Sequence, residues 1–286
     1  MATAPDIRLD LRPMTADDLP AAQALSKGER WPHRVEDWQM MLSVGEGAVV
    51  EAEGTIVGTI MWFPTGNDSA TIGMVIVSPD HRGRGIGRML MDHAIEAVDC
   101  GRLLLNGTAV AVPMYRTLGF EEIGRIAQHQ GTSFQIPLAA PAPGERLRPI
   151  GDSDYVRIQA MVEDGTGLPR KATMNAVLDA AQVVVLDRDG DLVGVACFRR
   201  FGRGYSIGPV IAPSLREAKL LISHWLGSRA GDFTRIDVLA DSGLSPWLDE
   251  LGLLQVDGVV TMRRGDPLPQ PVGVARPFAI LSQALG

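Results

Sequence analysis

The chain has 286 residues, 45% of them hydrophobic and 21% charged, with a formal net charge of −7. That length exceeds one typical domain and that composition builds packed cores rather than disorder, so two globular units are expected. The acidic balance argues against nucleic acid or an anionic membrane as partner, and no apolar run reaches the length of a membrane span. Cys100 and Cys197 stand too far apart for a disulfide framework or a cysteine zinc site. No apolar leader surrounds Asp6, Arg8 and Asp10, so a soluble cytoplasmic protein is expected.

Leu11, Arg12 and Pro13 end a first strand. Thr15, with Asp18 three residues on, forms a capping box with Asp in place of Glu and predicts a helix to about Ser26. Val35, Trp38, Met41 and Leu42 share one face of a second helix over residues 31–42. Residues 48–51 and 56–63 predict a hairpin turning at Glu53 and Gly54. An apolar strand starts at Ile72, runs into a Gly- and Arg-rich turn, and gives way to a helix from Gly85 to about Asp99. Leu103, Leu104 and Leu105 read as a short buried strand, and Pro113 to Leu118 as a short helix stopped by Gly119. Residues 120–136 predict a closing hairpin around Gln130 and Gly131, followed by a Pro- and Ala-rich linker.

Beyond the linker the pattern restarts. Leu11-Arg12-Pro13 recurs as Leu147-Arg148-Pro149, and Gly54, Val57 and Gly58 recur as Gly190, Val193 and Gly194, all at an offset of 136. Ile72-Gly73 recurs as Ile207-Gly208, Pro79 as Pro213, and Pro113 and Gly119 as Pro246 and Gly252, the offset falling slowly to 133. Ordered matches with a slow drift indicate two copies of one αβ unit. The expected division is residues 1–138, a linker over 139–146, and a second copy with a docked tail over 147–286. The second copy has no glycine turn: Pro213 to Lys219 contains Glu217, which repels phosphate, and Leu248 stands where the first copy has Tyr115.

The turn at residues 82–87 suits a phosphate, because glycines bring the backbone close to a ligand and a helix start offers free N–H groups. No Lys follows, which excludes a P-loop, and the third glycine of a dinucleotide fingerprint falls on Arg88 or Leu90. Arg82-Gly83-Arg84-Gly85-Ile86-Gly87 instead fits Arg/Gln-x-x-Gly-x-Gly/Ala. It resembles the coenzyme A pyrophosphate loop of the GCN5-related N-acetyltransferases, as do the flanking Val-Ile-Val-Ser-Pro-Asp-His and Arg-Met-Leu-Met. The specific motifs lie within residues 72–120.

The resemblance implies two tandem units, each a mixed, mostly antiparallel sheet flanked by helices (an α/β fold), the second degenerate. It implies acetyl-CoA as co-substrate, gripped by Arg82 to Arg88, with the backbone of Val75, Ile76 and Val77 along the pantetheine arm. Met-Tyr-Arg-Thr-Leu-Gly-Phe is similar to the family segment whose Tyr faces the coenzyme sulfur, which makes Tyr115 the general acid. A primary amine of a small molecule is the expected acceptor, with Glu29, Trp31, His33 and Trp62 as contacts. Glu29, His33, Asp68, His81 and His129 compete as general base, and no metal spacing occurs. A non-catalytic acetyl-CoA sensor, a longer acyl donor and a protein amine acceptor stay open, as does monomer or homodimer.

Overall fold

The computed structural model describes residues 8–134, 136 and 139–286; the expected boundary at residue 138 lies outside them. The first copy opens with β1 (Leu9–Pro13), and Arg12 ties it to Asp18 at 2.7 Å and to Glu51 at 2.5 Å. The Thr15 N–H donates to the Asp18 carboxylate at 2.7 Å, and a single 3-10 turn leads into α1 (Leu19–Gly28). The second helix, α2 (Val35–Val44), starts later than the periodicity predicts. Pro32 disfavours helix at Trp31, and the chain turns helical only where the Arg34 N–H finds the Asp37 carboxylate at 2.9 Å.

The strands β2 (Glu46–Ala52) and β3 (Thr55–Pro64) form the expected hairpin, with Glu53 and Gly54 both at positive φ. Then come β4 (Ser69–Val77), α3 (Ile86–Val98), β5 (Arg102–Gly107), α4 (Val112–Thr117) and β6 (Glu121–Thr132). The second copy repeats this order as β7 (Glu145–Pro149), α5 (Asp154–Thr166), α6 (Lys171–Ala180), β8 (Gln182–Arg188), β9 (Asp191–Phe201) and β10 (Gly204–Ala212). It continues with α7 (Leu215–Ser228), β11 (Phe233–Leu239), α8 (Ser245–Glu250) and β12 (Leu254–Gly265), and adds β13 (Arg276–Ala279).

All thirteen strands join one sheet in the order β1-β2-β3-β4-β5-β12-β6-β11-β13-β10-β9-β8-β7. The β4–β5 and β10–β11 pairs are parallel and the other described pairs antiparallel. The two copies have exchanged their last strands: β12 of the second pairs with β5 of the first, and β6 of the first pairs with β11 of the second. The hairpin expected at Gln130 and Gly131 is absent, because β6 runs straight through both residues. An ideal Cβ on Gly131 would sit 2.2 Å from the Gly252 carbonyl oxygen, so this glycine permits a close approach of backbone rather than a turn.

One face of the sheet carries a single core shared by both copies, with Trp38, Met41 and Phe63 meeting Val162, Met174 and Val177. On the other face α3 and α4 cover the first copy, and α7 and α8 cover the second. No helix among the described residues is long and apolar enough to cross a membrane.

Candidate active site

The site is built where two parallel strands part. Pairing of β4 with β5 ends at Ile72 and Leu105, although both strands continue. The cause is a bulge on β4: the register against β3 slips by one residue between Ile76 and Gly73, and Met74 takes φ 53°. That conformation costs a non-glycine residue about 1 kcal/mol, and the Thr59 hydroxyl braces it by donating to the Met74 carbonyl at 2.9 Å. Backbone groups alternate along a strand. Because the Ser78 N–H points to Val57 of β3, Val75 and Val77 turn theirs into the gap. Ile76 turns its own toward β3, so of the three strand residues it offers the gap no backbone group.

The turn follows at the open end of that gap. Gly83 and Gly85 adopt φ 74° and 81°, and an ideal Cβ on either would meet nothing within 4 Å. They are needed for backbone conformation, and the space above them is free for a ligand. Buried Ile86 anchors the start of α3, whose first N–H groups lack intrahelical partners and carry the positive end of the helix dipole. Gly87 lets α3 approach α4, since a Cβ there would lie 3.3 Å from Met114 Sδ. Arg82 is braced by Val77 O at 3.1 Å and by the Glu29 carboxylate. Arg88 turns outward to Asp92 at 2.9 Å. Arg84 is exposed, and no described residue pairs with it.

Tyr115 stands on the opposite wall of the gap, on α4, with its ring edge-on to Phe120. Gly107 makes room for it: a Cβ on Gly107 would lie 2.8 Å from the ring. Burial pushes the Tyr115 hydroxyl up to about 12. A strand gap with an open backbone edge, a glycine turn on a helix N-terminus and a buried phenol thus lie together in the first copy.

Two models of the acetyltransferase (GNAT) domain match the chain, at residues 44–122 and 158–273, and together they take in more than half of it. The chain belongs to the GNAT acetyltransferases. It holds two GNAT domains in tandem, and by family it is an N-acetyltransferase. A protein described as the uncharacterized N-acetyltransferase YitH of Bacillus subtilis is 26% identical over 263 residues, covering 90% of this chain and 91% of that protein. Streptothricin acetyltransferase of Streptomyces lavendulae is 38% identical over 106 residues, covering 33% of this chain and 56% of that protein. The crystal structure of a putative acetyltransferase from Pyrococcus horikoshii shares the fold at a TM-score of 0.80 and 18% identity, covering 100% of this chain and 99% of that one.

The remaining residues singled out in the sequence are spread through this GNAT frame, two of them at the turn. Glu29 serves Arg82. Trp31 and His33 pack at the junction of the copies, where the His33 ring meets Phe201 edge-on at 5.2 Å. Burial first, then the charge of Arg235, pulls His33 down to about 3, and its Nδ1 has no partner. Trp62 is buried under α3 beside His93, on the face away from α1 and α2. Asp68 accepts from the Gly101 N–H at 2.8 Å and holds a turn. His129 follows β6 into the second copy, where Leu253 O and Ser245 Oγ take its two nitrogens at 2.9 and 3.0 Å. His81 stays in the turn with Nδ1 unpartnered. Among the described residues no group of His, Cys, Asp or Glu is arranged to hold a metal ion.

The second GNAT copy has the same parting of strands but fills it. β10 and β11 pair in parallel only from Tyr205 to Ile207, and β13 then enters between them, with Ala279 opposite both Val210 and Val238. Past β13 the tail crosses to the first copy. An ideal Cβ on Gly73 would lie 2.7 Å from Ala284 O, and the Asn106 amide donates to Gln283 O at 3.0 Å. Neither contact had a sequence signal beyond the apolar end of the chain.

A cavity of about 650 Å³ lies beside this tail on the shared-core face. It reaches the base of the first gap at Thr71, Leu105 and Asn106.

Proposed function

We propose that the chain moves the acetyl group of acetyl-CoA to a primary amine of a small molecule, using one site per chain. The observation that carries this reading is the open first gap, with the glycine turn at its mouth and Tyr115 on its far wall. The N–H groups of Ile86, Gly87 and Arg88, with Arg84 beside them, hold the pyrophosphate. The backbone groups of Val75 and Val77 bind the pantetheine arm, and a free N–H there polarises the thioester carbonyl.

Tyr115 acts on the leaving sulfur. With its hydroxyl near 12, full proton transfer to a thiolate of conjugate pKa ~8.5 is uphill by roughly 5 kcal/mol. The phenol therefore stabilises the departing thiolate by donating a hydrogen bond while the C–S bond breaks, worth about 1.5–3 kcal/mol for a charged acceptor. Among the described candidates Glu29 is committed to Arg82, Asp68 accepts from Gly101, His129 and His33 lie elsewhere, and His81 stays in the glycine turn rather than along the parted strands. Water takes the proton of the amine.

The partial likeness to a streptothricin acetyltransferase favours a small-molecule acceptor over a protein amine. Isothermal calorimetry with acetyl-CoA, followed by thiol release on adding primary amines, tests the reading. One equivalent bound per chain and amine-dependent thiol release are expected. No binding, or thiol release indifferent to amine, would refute it.

A further inference from the structure

The cavity beside the tail has an outer rim and an inner floor. Glu122, Ile123, Arg125 and Asp241 line its exposed rim, while Thr71, Leu104, Met174 and Leu281 line its buried floor. Its volume of about 650 Å³ suits a drug-sized ligand. The floor is apolar except for one group. The Thr71 hydroxyl is buried, faces no hydrogen-bond partner among the described residues, and belongs to a residue 1% exposed. An unpaired buried hydroxyl costs about 1–3 kcal/mol unless something satisfies it. The other polar groups of the inner wall are engaged: Asn106 with Gln283 O and Thr261, and Arg170 with the carbonyls of Leu285 and Gly286.

Arg170 lines the same wall. Burial alone draws its guanidinium from 12.5 down to about 10. An amine carried to the same wall is pushed the same way, toward its neutral form, by loss of water and by the charge of Arg170. Thr71, Leu104 and Leu105 belong to the last pairs of β4 and β5, so the inner end abuts the point where the strands part, next to the tail residues Gln283 and Ala284.

We propose that this cavity binds the acceptor, and that the acceptor is an amine carried on an apolar body with a hydrogen-bonding group for Thr71, rather than a polyamine or a free amino acid. This rests on the acetyltransfer reading above. The amine nitrogen attacks the thioester carbonyl, the C–N bond forms, the C–S bond breaks with its electron pair on sulfur, and the amine proton leaves to water.

The test uses the full chain with 2-phenylethylamine and octylamine against spermidine and lysine, reading thiol release and, separately, calorimetric binding of each amine. The apolar amines are expected to exceed the polar ones in kcat/KM by at least ~10-fold, the scale of burying a few methylenes. Ile123→Trp narrows the rim at a residue 39% exposed, and should raise KM for the apolar amines ~10-fold while leaving that for acetyl-CoA unchanged. Thr71→Val should keep or raise the thermal midpoint, since no bond is lost and an unpaired hydroxyl is removed, and should raise about 5-fold the KM of tyramine, an apolar amine with a second hydrogen-bonding group, while sparing that of octylamine. Better turnover with polar amines, or an apolar-amine KM indifferent to Ile123→Trp, would overturn the proposal. Apolar amines that bind in the wild type and not in Ile123→Trp, yet are never acetylated, would overturn the acetyltransfer reading and leave the cavity as an apolar-amine site. Absence of any apolar-amine binding would overturn the cavity site itself.

Discussion

The gaps at β4/β5 and β10/β11 begin alike and end differently. Both start as parallel pairs that run for a few residues and then diverge. In the first copy the divergence leaves the Val77 N–H and the backbone of Val75 facing the gap above an exposed glycine turn, the Val77 carbonyl accepting from Arg82. In the second, β13 lays Phe278 and Ala279, both fully buried, into the divergence. The helix starts differ in the same sense. At α7 Ser214 caps by accepting from the Arg216 N–H at 3.2 Å, and Glu217 sits in the first turn, 2.7 Å from Arg188 and 3.0 Å from Arg216. Burial raises the Glu217 carboxyl, but the Ser214 hydroxyl and Arg216 outweigh it, so the group ends below its usual range. The chain's own carboxylate thus occupies the positive end of α7, whereas α3 keeps its positive end open for an external phosphate. One architecture therefore yields a binding site or a structural unit according to whether local groups satisfy the strand edge and the helix start.

Four changes probe this contrast, from the largest effect to the smallest. Gly85→Glu puts a side chain and a negative charge at φ 81° in the open turn. Acetyl-CoA affinity by calorimetry should fall at least ~1000-fold, from strain plus like charge at the helix start; retained binding would falsify the turn as the phosphate site. Phe278→Ala empties the plug of the second copy and should lower unfolding stability by about 3–5 kcal/mol in urea, without moving the Kd for acetyl-CoA. A second equivalent of bound coenzyme in that variant would show that the plug, rather than the missing glycines, silences the second copy.

Tyr115→Phe should reduce kcat about 10- to 100-fold at unchanged acetyl-CoA affinity, the worth of one hydrogen bond to a developing thiolate. With its hydroxyl near 12, the wild type should show no alkaline loss of rate from this group below pH ~10. A rate limb titrating near 8 and removed by this substitution would contradict the assignment. The junction of the copies gives the smallest effect. The unfolded chain protonates His33 near 6.5, while the folded chain resists to about 3. The unfolded state thus binds more protons in that window, and stability falls as pH drops from 6.5, by up to about 1.4 kcal/mol per unit. His33→Phe should flatten the fall of the thermal midpoint between pH 6.5 and 5, and an unaltered slope would rule His33 out as its source.

Much of the first copy was legible in sequence because its signals are local. The capping box at Thr15 and Asp18, the turn at Glu53 and Gly54, and the helix after Gly85 each depend on neighbours a few residues away. The acceptor side was not legible. Glu29 reads as a pocket carboxylate until the fold brings Arg82, fifty-three residues on, against it. Trp62 reads as a cleft aromatic until the strand parity turns it under α3. His129 could not be placed before the partner of β6 was known.

The repeat, the glycine turn and the loss of that turn in the second copy were determined by the sequence alone, since residue type dictates φ at Gly83 and Gly85 and charge at Glu217. Which strand closes which sheet was decided only by tertiary structure. An alternating apolar strand pairs equally well with either copy, and Gly131 suits a turn or a close backbone approach. Only the assembled sheet exchanges β6 with β12 and commits β13 to one gap while leaving the other open.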